Sequence, residues 1–191
     1  MDFDINADDQ LGSDGCLDFT NGANVGLPDL WCDDATACPF KALYDEAYAS
    51  IMSRADFWVA AANAVIFNSS PLRNNSPQLD LPFRWGRVDS DDCPNSSSRI
   101  PEPGGCNDVE DAFITRMGLT WTDAVALLGA HTLGRGDLNF SGHAGTWVQD
   151  DERSTVFDNN FYRELLTRSW VPRETNVADD NWTWEIGRAH V

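Results

Sequence analysis

The chain has 191 residues, 42% of them hydrophobic and 11% aromatic, which is enough for one domain with a real core and too apolar for a disordered polymer. Its formal charge of -18, with Lys41 the only lysine, repels nucleic-acid phosphates and anionic membrane surfaces, so neither is an expected partner. No apolar run is long enough to span a bilayer, since Asn63 interrupts the segment 57–67, and the first residues lack the basic start and apolar core of a secretory signal.

Residues 1–34 are rich in Asp, Gly and Asn and show little helical period, which predicts irregular loop. Within them Leu11-Gly12-Ser13-Asp14-Gly15-Cys16 offers the alternating backbone and carboxylate oxygens that a hard cation uses, and it reads equally as a plain Asp-Gly turn. Leu43, Ala47 and Ile51 predict a helix over 40–52, and Ser53 caps a second one that starts at Arg54 and runs to about Phe67. Residues 69–105 hold six prolines and little period apart from Phe83-Arg84-Trp85-Gly86-Arg87-Val88-Asp89, and irregular passages of that length tend to be functional surface.

A helix over 107–117 comes next, and then the stretch 120–136. Thr120 with Asp123 makes a capping-box-like start, and Ala124, Val125, Leu127, Leu128, His131 and Thr132 have the three-and-four spacing of a buried stripe. Gly134 and Gly136 end the helix, which places His131 in its last full turn. Taken alone, such an imidazole is more often a hydrogen-bonded core residue than a ligand. After a loop through Trp147 and a charged patch at 150–153, Phe161, Leu165 and Leu166 predict an amphipathic helix over 157–170. With no internal repeat and no strand-rich region, the expected class is a mostly α domain.

The five cysteines, Cys16, Cys32, Cys38, Cys93 and Cys106, are odd in number and lack the Cys-x-x-Cys spacing of a zinc site. Cys32 with Cys38 and Cys93 with Cys106 each flank loop-like sequence and could close short disulfides. Asn68, Asn74, Asn95, Asn139 and Asn181 each begin an Asn-x-Ser/Thr sequon. Both features favour an exported protein.

Four stretches in chain order carry a resemblance: Ser53-Arg54-Ala55-Asp56-Phe57, Gly86-Arg87-Val88-Asp89, Ala126-Leu127-Leu128-Gly129-Ala130-His131-Thr132-Leu133-Gly134-Arg135, and Phe157-Asp158-Asn159-Asn160-Phe161-Tyr162. Together they resemble the haem peroxidases of the plant, fungal and bacterial superfamily, over about Asp4 to Trp184. The closest look is to the cytochrome c and ascorbate peroxidase branch, because Ser141-Gly142-His143-Ala144-Gly145-Thr146-Trp147 is similar to that branch's Ser-Gly-x-x-Gly-Pro-Trp, with the tryptophan sixteen positions after the histidine. The resemblance implies an all-helical fold, haem b as cofactor, and reduction of hydrogen peroxide with one-electron oxidation of an unidentified donor, in response to oxidative stress. It implies His131 as the proximal iron ligand and Trp147 as the residue that relays an electron. Leu127, Ala130 and Gly134 would line the cofactor, Arg135 would contact a propionate, and Ile100-Pro101 is similar to the Leu-Pro turn at the pocket edge.

The same resemblance makes Thr132, Asp150 and Asp158 candidate ligands of a proximal cation, calcium or monovalent, and Gly12 and Asp14 candidates for a distal calcium. Cys16 stands where the secreted classes usually have serine. The loop between Trp147 and Asp158 is three residues longer than in the ascorbate branch, and Arg153 could replace the proximal cation. Phe140 stands where ascorbate peroxidases place the arginine that binds ascorbate, so ascorbate is not named as the donor. The family's distal His and Arg have no counterpart here, which suggests that Met1 is an internal methionine and that the chain alone turns over poorly. Residues 185–191 read as a translated sequencing adapter, a non-native tail, and the aspartate that partners the proximal imidazole would lie beyond them. A secreted haem- or calcium-binding module without turnover is the alternative.

Overall fold

The computed structural model describes residues 3–8, 12–21, 24, 26–32, 34, 36–71, 79–93, 105–136, 145–174 and 182–187. They fall into two compact units, one taking in Met1–Ala64 and Pro82–Leu127, the other Val65–Leu81 and Leu128–Val191. The expectation of a mostly helical fold is met, and no described helix is long and apolar enough to cross a membrane.

In the first unit, α1 (Pro39–Leu43) widens into a π-type turn, Tyr44–Tyr48. Pro39 stands at its first position, where a fixed φ and a missing N–H cost nothing. The helix lies where Leu43, Ala47 and Ile51 predicted it, but that stripe faces outward, with Leu43 49% and Ile51 69% exposed. The face turned inward is Phe40, Tyr44 and Tyr48, whose rings lie 5.0, 5.2 and 5.2 Å from that of Phe57. Three aromatic rings remove more apolar surface from water than Leu, Ala and Ile, so they take the core side. Trp31 and Trp58, edge to face at 5.0 Å, extend the cluster.

Helix α2 (Arg54–Ser69) shows why two distant motifs belong together. Its first turn is capped as expected by Ser53, whose Oγ accepts from the Asp56 N–H at 3.0 Å. A second cap comes from Asp89, which accepts from the Arg54 and Ala55 N–H groups at 2.8 Å each. Asp56 reciprocates, taking the Gly86 N–H and the Arg87 guanidinium at 2.8 Å each. Gly86 has φ +108°, a conformation that L side chains rarely adopt, and so its N–H can turn toward the carboxylate. The Ser90 N–H then donates to the Asp14 carbonyl at 2.8 Å and brings Cys93 to Cys16.

That pairing corrects the cysteine assignment. The disulfides are Cys32–Cys38, as expected, and Cys16–Cys93, while Cys106 is free and exposed. Cys106 instead begins α3 (Cys106–Val109), which continues as the π-type run Glu110–Arg116 and buries Ala112 and Phe113. Helix α4 (Trp121–Leu128) begins with the expected capping box: the Asp123 carboxylate accepts from the Thr120 N–H and hydroxyl, and Thr120 Oγ1 accepts from the Asp123 N–H.

In the second unit, a 3₁₀ turn (Gly129–Thr132) continues the chain from α4, a second one spans Arg153–Thr155, and α5 covers Asn160–Thr167. Helix α5 is shorter than the expected 157–170, and its apolar face differs. Phe161 is buried, but Leu166 is 87% exposed, because five residues of α-helix carry a side chain about 140° from the starting face; Leu165, about 40° from it, is at the edge of the buried face and 45% exposed. Glu164, one turn after Phe161, is the buried neighbour, and it pairs with Arg168 at 2.9 Å. Beyond α5 the chain forms an antiparallel pair, β1 (Ser169–Glu174) with β2 (Trp182–Gly187), in the register Ser169 to Gly187 through Glu174 to Trp182, an element the sequence patterning did not foretell.

Candidate active site

The site is built around the 3₁₀ turn. Leu133 leaves it in an extended conformation and Gly134, at φ +86°, turns the chain away, so His131 sits in the final turn as expected, though not in an α-helical one. Its Nδ1 lies 2.9 Å from the Leu128 carbonyl oxygen. A carbonyl can only accept, so Nδ1 is the donor, and in the neutral ring that leaves the lone pair on Nε2, the tautomer a metal ligand requires. The imidazole is exposed.

The stripe expected to be buried is therefore divided. Of that stripe Ala124 and Thr132 are buried and Leu128 is half-buried, whereas Val125, Leu127 and His131 are exposed; Gly129 is buried beside it and Ala130 exposed. Gly129 lies against Tyr162, so that a Cβ there would collide with the hydroxyl and come within 2.8 Å of Cζ. The Thr132 hydroxyl donates to Asp158 Oδ1 at 3.1 Å. Small and hydrogen-bonding residues thus face the protein, and the larger apolar ones face out with the imidazole.

Trp147 is brought to His131 by a short bridge. The Gly136 N–H donates to the Gly145 carbonyl at 2.8 Å and Gly145 returns the bond at 3.3 Å, which closes the intervening loop two residues before the indole. Gly145 has φ +93°, so a side chain there would strain the bridge. The indole lies 5.5 Å from the imidazole at 74°, edge to face, and is 41% exposed, while Val148 beside it is buried.

Phe161 completes the cluster, and the residue pattern marked it only as part of a core stripe. Its ring stacks on the imidazole at 5.4 Å and 26° and meets the indole at 6.3 Å and 78°. Its place is fixed through Asp158, which accepts from the Asn160 N–H at 2.8 Å at the start of α5 while receiving the Thr132 hydroxyl. The two residues beside each other in the motif, His131 and Thr132, thereby engage Phe161 and Asp158 together. The usable signal was the Phe-Asp-Asn motif, since periodicity alone does not separate a ring that touches an imidazole from one in a core.

Arg135 makes an exposed ion pair with Asp151 at 3.3 Å. The Asp150 Oδ1 accepts from the Arg153 N–H at 2.8 Å and caps that turn. Among the described residues no three His, Cys, Asp or Glu side chains are grouped as a metal cage. Asp14 forms the turn that was one of its two readings, Oδ1 accepting from the Cys16 N–H at 2.9 Å, but its Oδ2 is buried without a hydrogen-bond partner, and Gly12 precedes it at φ +132°. Pro101, Ile100 and Phe140 lie outside the described residues.

The family model described as Peroxidase matches residues 35–186. L-ascorbate peroxidase 3 of Arabidopsis thaliana is 36% identical over 153 residues, 78% of this chain and 45% of that protein. Cytosolic L-ascorbate peroxidase 2 of the same plant is 35% identical over 74% of this chain and 52% of its own length. The mitochondrial cytochrome c peroxidase of Emericella nidulans is 39% identical over 51% of this chain and 26% of its own length. The chain thus spans about a quarter to a half of the relatives it matches.

Proposed function

The chain belongs to the peroxidase family, and on that premise we propose that the whole protein is a haem peroxidase that reduces hydrogen peroxide with one-electron oxidation of a donor. The observation that carries the reading is the His131 imidazole, exposed, with Nδ1 bonded to the Leu128 carbonyl and Nε2 left to bind iron. Haem, which His131 would hold, would supply the redox chemistry when bound. The chain's own residues orient and tune. In this chain the Leu128 carbonyl holds the ring, and the carboxylate that the family resemblance implies as its partner would make the imidazole a stronger electron donor than a neutral carbonyl does. Ala130, Gly134 and Trp147 offer exposed surface to the macrocycle, and Arg135 can exchange its weak ion pair with Asp151 for a propionate. Trp147, the most readily oxidised of the three clustered rings, relays an electron.

Two further assignments go with it. The disulfides Cys16–Cys93 and Cys32–Cys38 support an exported protein. Thr132 with Asp158 would hold a proximal cation if Asp150 leaves its cap, and Asp14 with Gly12 would hold a distal one, for which the unpartnered Oδ2 is the support.

The test is haem reconstitution followed by desalting. A Soret band that survives and is lost or shifted in His131→Ala supports the ligand assignment, and peroxide consumption by the reconstituted full-length protein supports the activity. A band indifferent to His131→Ala, or a haem-loaded full-length protein that leaves peroxide untouched, overturns the reading.

A further inference from the structure

We infer that the cavity between the Arg153 turn and α5 is a binding site for a small multivalent carboxylate. It measures about 190 Å³, and its lining includes Gln149, Arg153, Asn160, Arg163, Glu164 and Arg168. At about 30 Å³ for each water, the space equals about six waters, enough for a small organic anion.

The charges decide what it takes. Arg168 is neutralised by Glu164 at 2.9 Å, which leaves Arg153 and Arg163. Neither guanidinium has an ion pair or hydrogen bond among the described residues, although the chain carries 31 acidic residues against 13 basic ones and Asp151 and Glu152 immediately precede Arg153. Both residues line one cavity, so an anion held there meets two guanidinium groups that have no carboxylate partner among the described residues. Each presents a planar fork of N–H donors that matches a carboxylate in bidentate fashion. The amides of Gln149 and Asn160 add neutral donors at the wall. Because the two arginines come from separate elements, the turn at 153 and α5, an anion with more than one carboxylate can engage both at once.

Occupancy would be felt beyond the cavity. Asn160, in its wall, donates through Nδ2 to Asp158 Oδ2 at 2.8 Å, and Asp158 receives the Thr132 hydroxyl next to His131. The site needs no haem, so its failure and the failure of the peroxidase reading are separate events.

Calorimetric titration of the haem-free chain with citrate, at constant ionic strength and with chloride and inorganic phosphate as parallel arms, tests the assignment. Saturable one-to-one citrate binding is expected, weakened roughly tenfold by Arg153→Gln and by Arg163→Gln, the loss of about one charge-assisted contact each. Both side chains lie on residues exposed to solvent, so the variants should fold, and circular dichroism verifies that they do. Arg84→Gln, an exposed arginine outside the cavity, should leave citrate binding unchanged. The absence of saturation by 10 mM citrate (about 2.7 kcal/mol of affinity), equal binding by all the variants, or phosphate binding as tight as citrate would each overturn the proposal.

Discussion

The imidazole of His131 lies nearly parallel to the ring of Phe161, 5.4 Å between centroids and 26° between planes, while Trp147 meets the same imidazole edge on. Phe161 is buried, so its removal leaves a cavity and frees the imidazole on one side. Phe161→Ala should destabilise the fold by about 3–5 kcal/mol. Phe161→Leu should retain most of the stability yet lower haem affinity, because an aliphatic side chain holds the imidazole plane less firmly. Chemical denaturation and haem titration of the two variants separate these effects, and equal haem affinity in Phe161→Leu and the parent would remove Phe161 from the site.

Gly129 is buried directly against Tyr162. A methyl group there meets the phenol before anything else, so Gly129→Ala should cost about 1–3 kcal/mol through overpacking. Tyr162→Phe in the same chain removes the atom in closest conflict and should recover part of the loss. A thermal melt of the single and double variants decides it; full additivity would mean that the strain lies elsewhere.

How much of this was legible beforehand depended on range. The Thr120 and Asp123 capping box and the Ser53 cap were readable because each closes within three residues, where backbone geometry leaves little choice. The sequence pattern also located α1, but choosing its inner face required knowing that Phe57 waits there for Phe40, Tyr44 and Tyr48. The Asp89 cap on Arg54 and Ala55 and the Cys16–Cys93 bridge join residues far apart in the chain, and no local signal pairs them. At the site the family motifs pointed to His131 and Trp147, whereas Phe161, though inside the Phe-Asp-Asn motif, carried no sign that its ring would meet the imidazole.

Asp56 and Asp123, with Asp18, whose carboxyl the Thr20 hydroxyl and N–H hold low, contribute acid sensitivity to the fold. The Gly86 N–H, with help from Arg87, holds Asp56 below the ordinary carboxylate range against the opposing effect of burial. The Thr120 hydroxyl, and then its N–H, does the same for Asp123. With the folded value below the unfolded one, their stabilisation is complete above the unfolded value, about pH 4, and is lost as pH falls through the folded value. The urea midpoint should therefore be level above about pH 5 and decline below about pH 4, with a shallower decline in Asp56→Asn. An identical acid limb in that variant would show that other groups govern it.

Arg135 separates cofactor binding from stability. Its pair with Asp151 is 60% and 70% exposed at the two side chains, so solvent and salt screen it. Arg135→Gln should change unfolding free energy by less than about 0.5 kcal/mol, while weakening haem binding through the lost propionate contact. Haem titration at low and high salt measures the second effect. A stability loss larger than the binding loss would reassign Arg135 to the fold.

The disulfide pattern can be tested without any variant at first. With Cys16 bonded to Cys93 and Cys32 to Cys38, a thiol reagent should label one cysteine per native chain, and peptide mapping should place the label on Cys106. The pairing of Cys93 with Cys106 would instead leave Cys16 to be labelled, so the map discriminates between the two. The Cys16–Cys93 bridge spans 77 residues and anchors the Asp14 loop to the strand of backbone that carries Asp89 and Ser90. Its loss in Cys16→Ser should cost about 2–5 kcal/mol, and part of that cost should come from loosening the Asp89 cap on α2. Cys106→Ser removes an exposed thiol and should be close to neutral in the same denaturation experiment. If instead Cys106→Ser is the costly substitution and Cys16→Ser the mild one, the bridge has been assigned to the wrong pair.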